Sequence, residues 1–238
     1  MSDPENPDHR VQPEFNRRGP WGPKPQRPLA ELGDDARQAV ERARAVSSKE
    51  EVVELYAEWA TRYDRDVFGE MRIVGPASIA RRLSNICDVD AEVLDVGCGT
   101  GAVGSHLHAS GFTAVDGLDL SPSMIEVAAA KGVYRQLFEG DLLEQLALPD
   151  AAYDAVVSAG TFVSGHVGAE ALDELCRVTR AGARIVFNVM EAFWEPGDFE
   201  AVLARLVEAD VVRITDDALE PITVDESQHA RTVVLERR

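Results

Sequence analysis

The sequence predicts an α/β fold: a mostly parallel sheet with helices on both faces. Three observations carry this. From residue 91 onward, short continuous apolar runs alternate with segments of helical period, the pattern of strands buried on both faces. The first run feeds straight into a glycine-rich turn, Asp95-Val96-Gly97-Cys98-Gly99-Thr100-Gly101. The first three runs each finish beside an aspartate, namely Asp95, Asp119 and Asp141. That sets three acids along the edge where open α/β sheets bind ligands.

Residues 1–28 hold seven of the twelve prolines and few large apolar side chains, so a disordered or loosely docked tail is expected, with Trp21 its one candidate anchor. Residues 29–75 are expected to form a helical cap. Asp34 or Asp35 caps a helix running to about Val46. Ser48 caps a second helix, with Glu51 in the capping-box position. In that second helix Val52, Leu55, Tyr56, Trp59, Ala60 and Tyr63 form one apolar stripe, which packing on the domain explains. Tyr63 is in addition a candidate to close over a ligand. Residues 76–238 form the main domain, opening with a helix at 76–85, since proline suits the first turn. Strands are predicted at 91–96, 112–118, 134–138, 153–158 and 183–190. Helices are predicted at 102–110, 122–131, 169–178 and 197–209. Two last strands, 211–215 and 231–236, have no helix between them and read as an antiparallel pair at the sheet edge.

At 238 residues the chain suits one domain with an appendage. The formal net charge of −18 repels phosphate backbones and argues against a nucleic-acid partner; Arg81-Arg82 is the densest basic spot in the domain. No apolar run reaches the roughly 18 residues of a membrane span, and the N-terminus lacks the apolar core of a signal peptide. No membrane partner and a cytoplasmic location are the expectation. Cys87, Cys98 and Cys176 form neither a CxxC pair nor a metal set with the five histidines, so reduced thiols and no metal are expected. Arginine and alanine dominate, with only Lys24, Lys49 and Lys131 as lysines, a bias of GC-rich bacterial genomes. Nothing in the sequence bears on oligomeric state.

The glycine turn allows close approach of a ligand to the backbone, and the helix after it offers unpaired N–H groups. The spacing is G-x-G-x-G; a dinucleotide pattern would place its last glycine at Ala102, and alanine is tolerated there, so NAD stays open on this loop alone. Asp119, at the end of the second strand, is suited to accept from ribose hydroxyls. Asp141, in Gly140-Asp141-Leu142, is suited to accept from an adenine amino group, or else it caps a turn.

Together these segments resemble class I S-adenosylmethionine (SAM)-dependent methyltransferases. Residues 93–101 resemble their first motif. Gly117-Leu118-Asp119-Leu120-Ser121-Pro122-Ser123-Met124 resembles the second, Gly140-Asp141-Leu142 the adenine-contacting one, and Tyr153-Asp154-Ala155-Val156-Val157-Ser158 the fourth. Residues 177–189 resemble the entry to strand five, with Ala181 where a proline is usual. Tyr63-Asp64, Val133-Tyr134 and the stretch from Ser158 through Gly165-His166-Val167 are similar to the Williams–Beuren syndrome region methyltransferase-like proteins. The resemblance implies a Rossmann-like seven-stranded sheet of order 3-2-1-4-5-7-6 with N-terminal helices, and SAM as cofactor. It implies that Asp95 helps hold the SAM amino-acid part, with Gly97, Cys98, Gly99 and Gly101 in the loop. Asp119 holds ribose, with Leu120 and Met124 beside it. Asp141 contacts adenine, with the Leu142 N–H nearby. The Ser158 carbonyl faces the ammonium, and Tyr63 bonds the carboxylate.

His166 follows strand four in a Gly-His-Val context and is the candidate catalytic base; a loop or capping role is its plain alternative. Thr161, Phe162, Glu191, Phe193 and Trp194 follow strands four and five and are candidates around the acceptor; core or lid positions for Phe193 and Trp194, and a solvated acid for Glu191, are the equal alternatives. The Asn-Pro-Pro-aromatic signature of amino-methylating adenine and amide enzymes is replaced by Ser158-Ala159-Gly160-Thr161, which argues against DNA as substrate. The resulting expectation is methyl transfer to an N or O atom of a small molecule, in the setting of bacterial secondary metabolism. The alternatives are a SAM-binding protein with a non-methylating or regulatory role, and an NAD-dependent oxidoreductase.

Overall fold

The computed structural model describes residues 32–163 and 166–238. The proline-rich segment 1–28 with Trp21, the first residues of the cap at 29–31, and Ser164-Gly165 lie outside the described residues.

The sheet has seven strands in the order β3-β2-β1-β4-β5-β7-β6. These are β1 (Val93–Val96), β2 (Val115–Asp119), β3 (Gln136–Glu139), β4 (Tyr153–Phe162), β5 (Thr179–Met190), β6 (Val212–Pro221) and β7 (His229–Arg237). Strands 1 to 5 pair in parallel. β7 runs antiparallel to both β5 and β6, as the missing helix between the last two apolar runs predicted. The eight helices among the described residues are α1 (Asp34–Ala45), α2 (Lys49–Tyr63), α3 (Gly75–Ser84), α4 (Ala102–Ala109), α5 (Pro122–Ala130), α6 (Ala171–Val178), α7 (Glu191–Trp194) and α8 (Phe199–Glu208). None of them is long and apolar enough to cross a membrane.

Period-2 alternation divides the central strands between two apolar layers. Val93, Ala155, Val157 and Val186 pack with Ile79, Leu83, Val103 and Leu107 of α3 and α4. Leu94, Val96, Val156, Ile185 and Phe187 pack with Leu172, Leu175, Leu203 and Leu206 of α6 and α8. Asp95 shares its face with Val93, so its carboxylate enters the α3–α4 layer and is fully buried. A third cluster, Leu32, Ala36, Ala39, Val40, Trp59 and Val67, holds the cap together.

The departures from expectation are local and have causes. Gly33, not Asp34 or Asp35, is the N-cap of α1, and the two aspartates sit in its first turn. The Ser48 hydroxyl does cap α2 by accepting from Glu51 N–H, but the Glu51 carboxylate accepts from Ser47 N–H at 2.8 Å, one residue further upstream than a capping box requires. β3 starts at Gln136 rather than Tyr134, because the Tyr134 side chain is drawn inward to Asp95. β5 starts at Thr179; an irregularity between the Tyr153–Thr179 and Ala155–Arg184 pairs absorbs the turn around Gly182. β4 continues past Ser158 to Phe162 across a second irregularity, where Gly160 takes φ +75° and its N–H donates to Asn188 Oδ1. α2 runs without a break into a π-helical turn, Asp64–Glu70, a feature that recurs at functional sites. Inside it Asp66 is fully buried and accepts from Trp59 Nε1 at 2.9 Å and Arg65 Nε at 2.8 Å.

Candidate functional site

Gly97 follows β1 at φ +65°, and a Cβ there would stand 2.1 Å from Thr161 Oγ1. Only glycine fits, in conformation and in space. Gly99 and Gly101 also have positive φ, and Gly101 is the N-cap of α4. Much of the loop's hydrogen bonding is internal. Cys98 N–H donates to Leu118 O, Gly101 N–H to Cys98 O, and Gly99 N–H to Asp119 Oδ2 at 2.8 Å. Asp119 Oδ1 accepts from Ser121 N–H at 2.9 Å. The second strand's acid is thus bolted to the glycine loop, with its carboxylate plane fixed. Burial pushes its pKa up, against the opposing N–H groups of Ser121, Gly99 and Leu120.

A cavity of about 250 Å³ opens beside this loop. Gly97, Gly99, Asp119, Leu120, Met124, Asp141 and Leu142 line it from the sheet edge, and Tyr63 and His166 line it from above. Nine of the sequence-derived candidates therefore share one cavity. A smaller cavity of about 80 Å³ meets it at Tyr63, Gly97, Gly99, Ala159 and Gly160, and Cys98 lines that one. Asp95, Gly101 and Ser158 line neither. Ser158 is buried; its hydroxyl donates to Val96 O at 3.0 Å and lies 2.9 Å from Thr161 Oγ1, knitting β4 to β1. Asp95 Oδ2 accepts from Tyr134 OH at 2.6 Å, while Oδ1 has no partner among the described residues. Burial raises its pKa to about 7.

Asp141 is doubly engaged. Oδ1 accepts from Leu143 N–H at 2.9 Å, so it does cap its own turn, and Oδ2 pairs with Lys49 Nζ at 2.8 Å. Burial alone would raise its pKa, but the Lys49 ammonium and the Leu143 N–H outweigh it, leaving the carboxyl below its usual range. Lys49 comes from the first turn of α2, so the cap reaches down to the third strand's acid.

The upper wall is aromatic. Tyr56 and Tyr63 project from α2 into the cavity, Tyr63 packing edge-on against Trp59 at 4.8 Å. Burial, with Asp119 nearby, pushes the Tyr63 hydroxyl up to about 12. The Tyr56 hydroxyl lies 3.1 Å from His166 Nε2, with the rings edge to face at 5.7 Å. The π turn adds a clasp: Asp64 accepts from Thr100 Oγ1 at 2.5 Å and from Lys131 Nζ at 2.6 Å.

Four of the candidates around the acceptor lie away from the cavity, with Phe193 and Trp194 at the core and Glu191 in solvent as their alternatives allowed. Phe162 is in the core against Phe187 and Phe199. Trp194 stacks on Phe199 under the Arg231 guanidinium, and Phe193 meets Phe199 edge-on. Glu191 is exposed at the start of α7. Thr161 does line the cavity. Residues that sequence reasoning missed are Tyr56, Lys49, Ser47, Ser48 and Val52, all at the cavity. Their available signal was the apolar stripe of α2, which carries two tyrosines where packing alone needs none, and one of only three lysines in the chain.

Residues 93–182 match a family model described as a methyltransferase domain. The chain is 34% identical over 155 residues to methyltransferase-like protein 27 of Homo sapiens, covering 63% of this chain and 62% of that protein. It is 39% identical over 101 residues to a malonyl-[acyl-carrier protein] O-methyltransferase of Serratia marcescens, covering 42% of this chain and 39% of that protein. The chain therefore spans less than two thirds of the length of these relatives. Among solved structures, magnesium protoporphyrin IX methyltransferase of Synechocystis PCC 6803 with bound SAM aligns with a TM-score of 0.62 at 19% identity, covering 80% of this chain and 97% of that one. At that identity the likeness speaks for the fold.

Proposed function

We propose that this chain, whose residues 93–182 match a methyltransferase domain and whose fold is shared with a SAM-bound methyltransferase structure, is a class I SAM-dependent methyltransferase that transfers a methyl group from SAM to an N or O atom of a small molecule, in the cleft between α2 and the carboxyl edge of β1, β2 and β4. The observation that carries the reading is the shared cavity. It collects the glycine loop, the second and third strands' acids and a histidine in about 250 Å³, which with the adjoining cavity of about 80 Å³ reaches the lower end of the volumes that bind small ligands.

The residues fit the cofactor. Asp119, fixed by two backbone N–H groups, retains lone pairs for the ribose hydroxyls, with Leu120 and Met124 against the same face. Asp141 and Leu142 take the adenine edge. Gly97, Gly99 and Gly101 open alternate positions of the loop to backbone approach, and the small cavity at Cys98 and Tyr63 takes the amino-acid end. Asp95, buried with one oxygen unpartnered, and the Ser158 carbonyl are assigned to its ammonium, and Tyr63 to its carboxylate. When bound, SAM supplies a methyl group already activated by its sulfonium.

The protein's remaining task is orientation, exclusion of water and handling of one proton. We assign the last to His166. The Tyr56 hydroxyl at its Nε2 orients the ring from the cap side, and a base at this position accepts the proton of a hydroxyl or protonated amine acceptor. A surface of net charge −18 supports a small-molecule acceptor over nucleic acid.

Calorimetry with SAM, S-adenosylhomocysteine and NAD tests the cofactor assignment: the first two are expected to bind and NAD not. Mass spectrometry of reactions with a metabolite panel then tests transfer. SAM binding without a gain of one methylene on any compound would remove the enzymatic half of the reading.

A further inference from the structure

Tyr134 packs its ring against the α3–α4 layer, but its hydroxyl has a further role there. Its ring occupies a slot cut by three glycines, two at α4 and one in β2. A Cβ at Gly104, inside α4, would stand 2.3 Å from the ring carbon Cζ. One at Gly117, inside β2, would stand 3.1 Å from Cε1, and one at Gly101, capping α4, 3.0 Å from Cε2. Glycine weakens both helix and strand interiors, so glycine in both marks a required close approach. What the slot delivers is a hydroxyl, 2.6 Å from Asp95 Oδ2.

Asp95 needs that donor. It sits on the apolar α3–α4 face of β1, wholly buried. The titratable groups facing it are Tyr134 before β3, Cys98 in the loop and Asp119 at the end of β2; none is a cation. Burial drives its pKa up to about 7, the Tyr134 hydroxyl and the Gly104 N–H oppose this, and Asp119 adds to it. Oδ1 is left without a partner among the described residues. A buried carboxylate held by so few donors is poised to take up a proton.

We propose that Tyr134 is a positioning residue for cofactor binding: its hydroxyl holds Asp95 as a carboxylate and leaves Oδ1, at the root of the glycine loop, to accept from the ammonium of the cofactor. The proposal rests on the assignment of Asp95 to the amino-acid end made above. It makes affinity at neutral pH depend on a side chain that never touches the ligand.

The test is calorimetry of the full chain with S-adenosylhomocysteine between pH 6 and 8.5. Tyr134→Phe keeps the ring in its slot and removes only the donor. Binding is expected to weaken about fivefold or more at pH 7 and to recover toward wild type as pH rises, because the lost donor moves the carboxyl's titration upward. Asp95→Asn is expected to bind weakly at every pH. Gly104→Ala favours the helix but pushes the ring out of its slot, and is expected to reproduce the displaced pH profile if Tyr134→Phe does not fold. A profile for Tyr134→Phe or Gly104→Ala that overlays wild type, with Asp95→Asn still impaired, overturns the role of Tyr134 alone. Wild-type binding by Asp95→Asn overturns the Asp95 assignment and this proposal with it.

Discussion

The two walls of the cleft are built by different rules. The lower wall is the carboxyl edge of the sheet. Its functional groups sit at the ends of β1, β2 and β3 or within two residues beyond them, and backbone hydrogen bonds fix the acids: Gly99 N–H to Asp119, Ser121 N–H to Asp119, Leu143 N–H to Asp141. The upper wall is α2 and the π turn. It meets the sheet through the tips of long side chains, in the pairs Tyr56–His166, Lys49–Asp141 and Asp64–Thr100 with Lys131. Backbone-fixed groups lose little freedom on binding, whereas side-chain tips spanning a cleft are individually weak and easily exchanged. On the function proposed above, the lower wall would be the source of affinity, and the upper wall would govern access and acceptor orientation.

If that division holds, the largest effect belongs to Asp119. Asp119→Ala removes the ribose acceptor and frees two loop N–H groups at once. SAM binding is expected to fall below detection by calorimetry, a loss of at least about 100-fold on the scale of charged hydrogen bonds. Wild-type affinity in this variant would refute the ribose assignment and with it the claim about the lower wall. Gly97→Ala comes next. Its methyl would stand 2.1 Å from Thr161 Oγ1 at a φ of +65°, so both steric and conformational strain apply. Weak SAM binding and a melting temperature several degrees lower are expected in thermal unfolding, on the scale of about 2–4 °C per kcal/mol for a domain of this size. An unchanged melting curve would mean that the loop yields more readily than its hydrogen bonds indicate.

The upper wall should show a different signature. Tyr56→Phe removes the hydroxyl at His166 Nε2 but leaves the ring. SAM affinity is expected to stay within about twofold. The imidazole nitrogen resonances of His166 are expected to report a changed tautomer balance, and turnover, once an acceptor is identified, to fall about tenfold, within the range of general-base effects. Equal losses in SAM affinity and turnover would break the comparison by making Tyr56 part of the cofactor wall.

The same contrast separates what the sequence disclosed from what it hid. The lower wall was legible because its residues are placed by local rules: apolar runs mark β1, β2 and β4, and the acids and glycines stand next in the chain. The same runs give the seven strands, while their order comes from the resemblance to class I methyltransferases. The upper wall depends on contacts between residues far apart; Tyr56 and His166 are separated by 110 positions, and no periodicity announces such a pair. Phe162 and Thr161 show a subtler failure. Alternation would decide which faces the cleft, but the irregularity at Gly160 resets it, so Thr161 turns in and Phe162 joins the core. Phe193 and Trp194 were drawn into the core by Phe199, an attraction invisible without the packing of α7 against α8.

The smallest expected effect is at Lys49, and it is the sharpest test of the upper wall as a set of exchangeable contacts. Lys49 is about half exposed and Asp141 largely covered, so the pair is worth little to stability in water. The pair lowers the Asp141 pKa, so its contribution is present above the unfolded carboxyl pKa and lost as pH falls through the depressed folded value. Lys49→Ala should therefore lower the melting temperature by about a degree at pH 7, and the difference should vanish at the acid end of the range. The same substitution frees Asp141 Oδ2. If adenine and Lys49 compete for that oxygen, the variant binds SAM as well as wild type or slightly better. If Lys49 instead helps hold the adenine subsite in place, affinity falls by several-fold, and the cap must be counted among the sources of affinity.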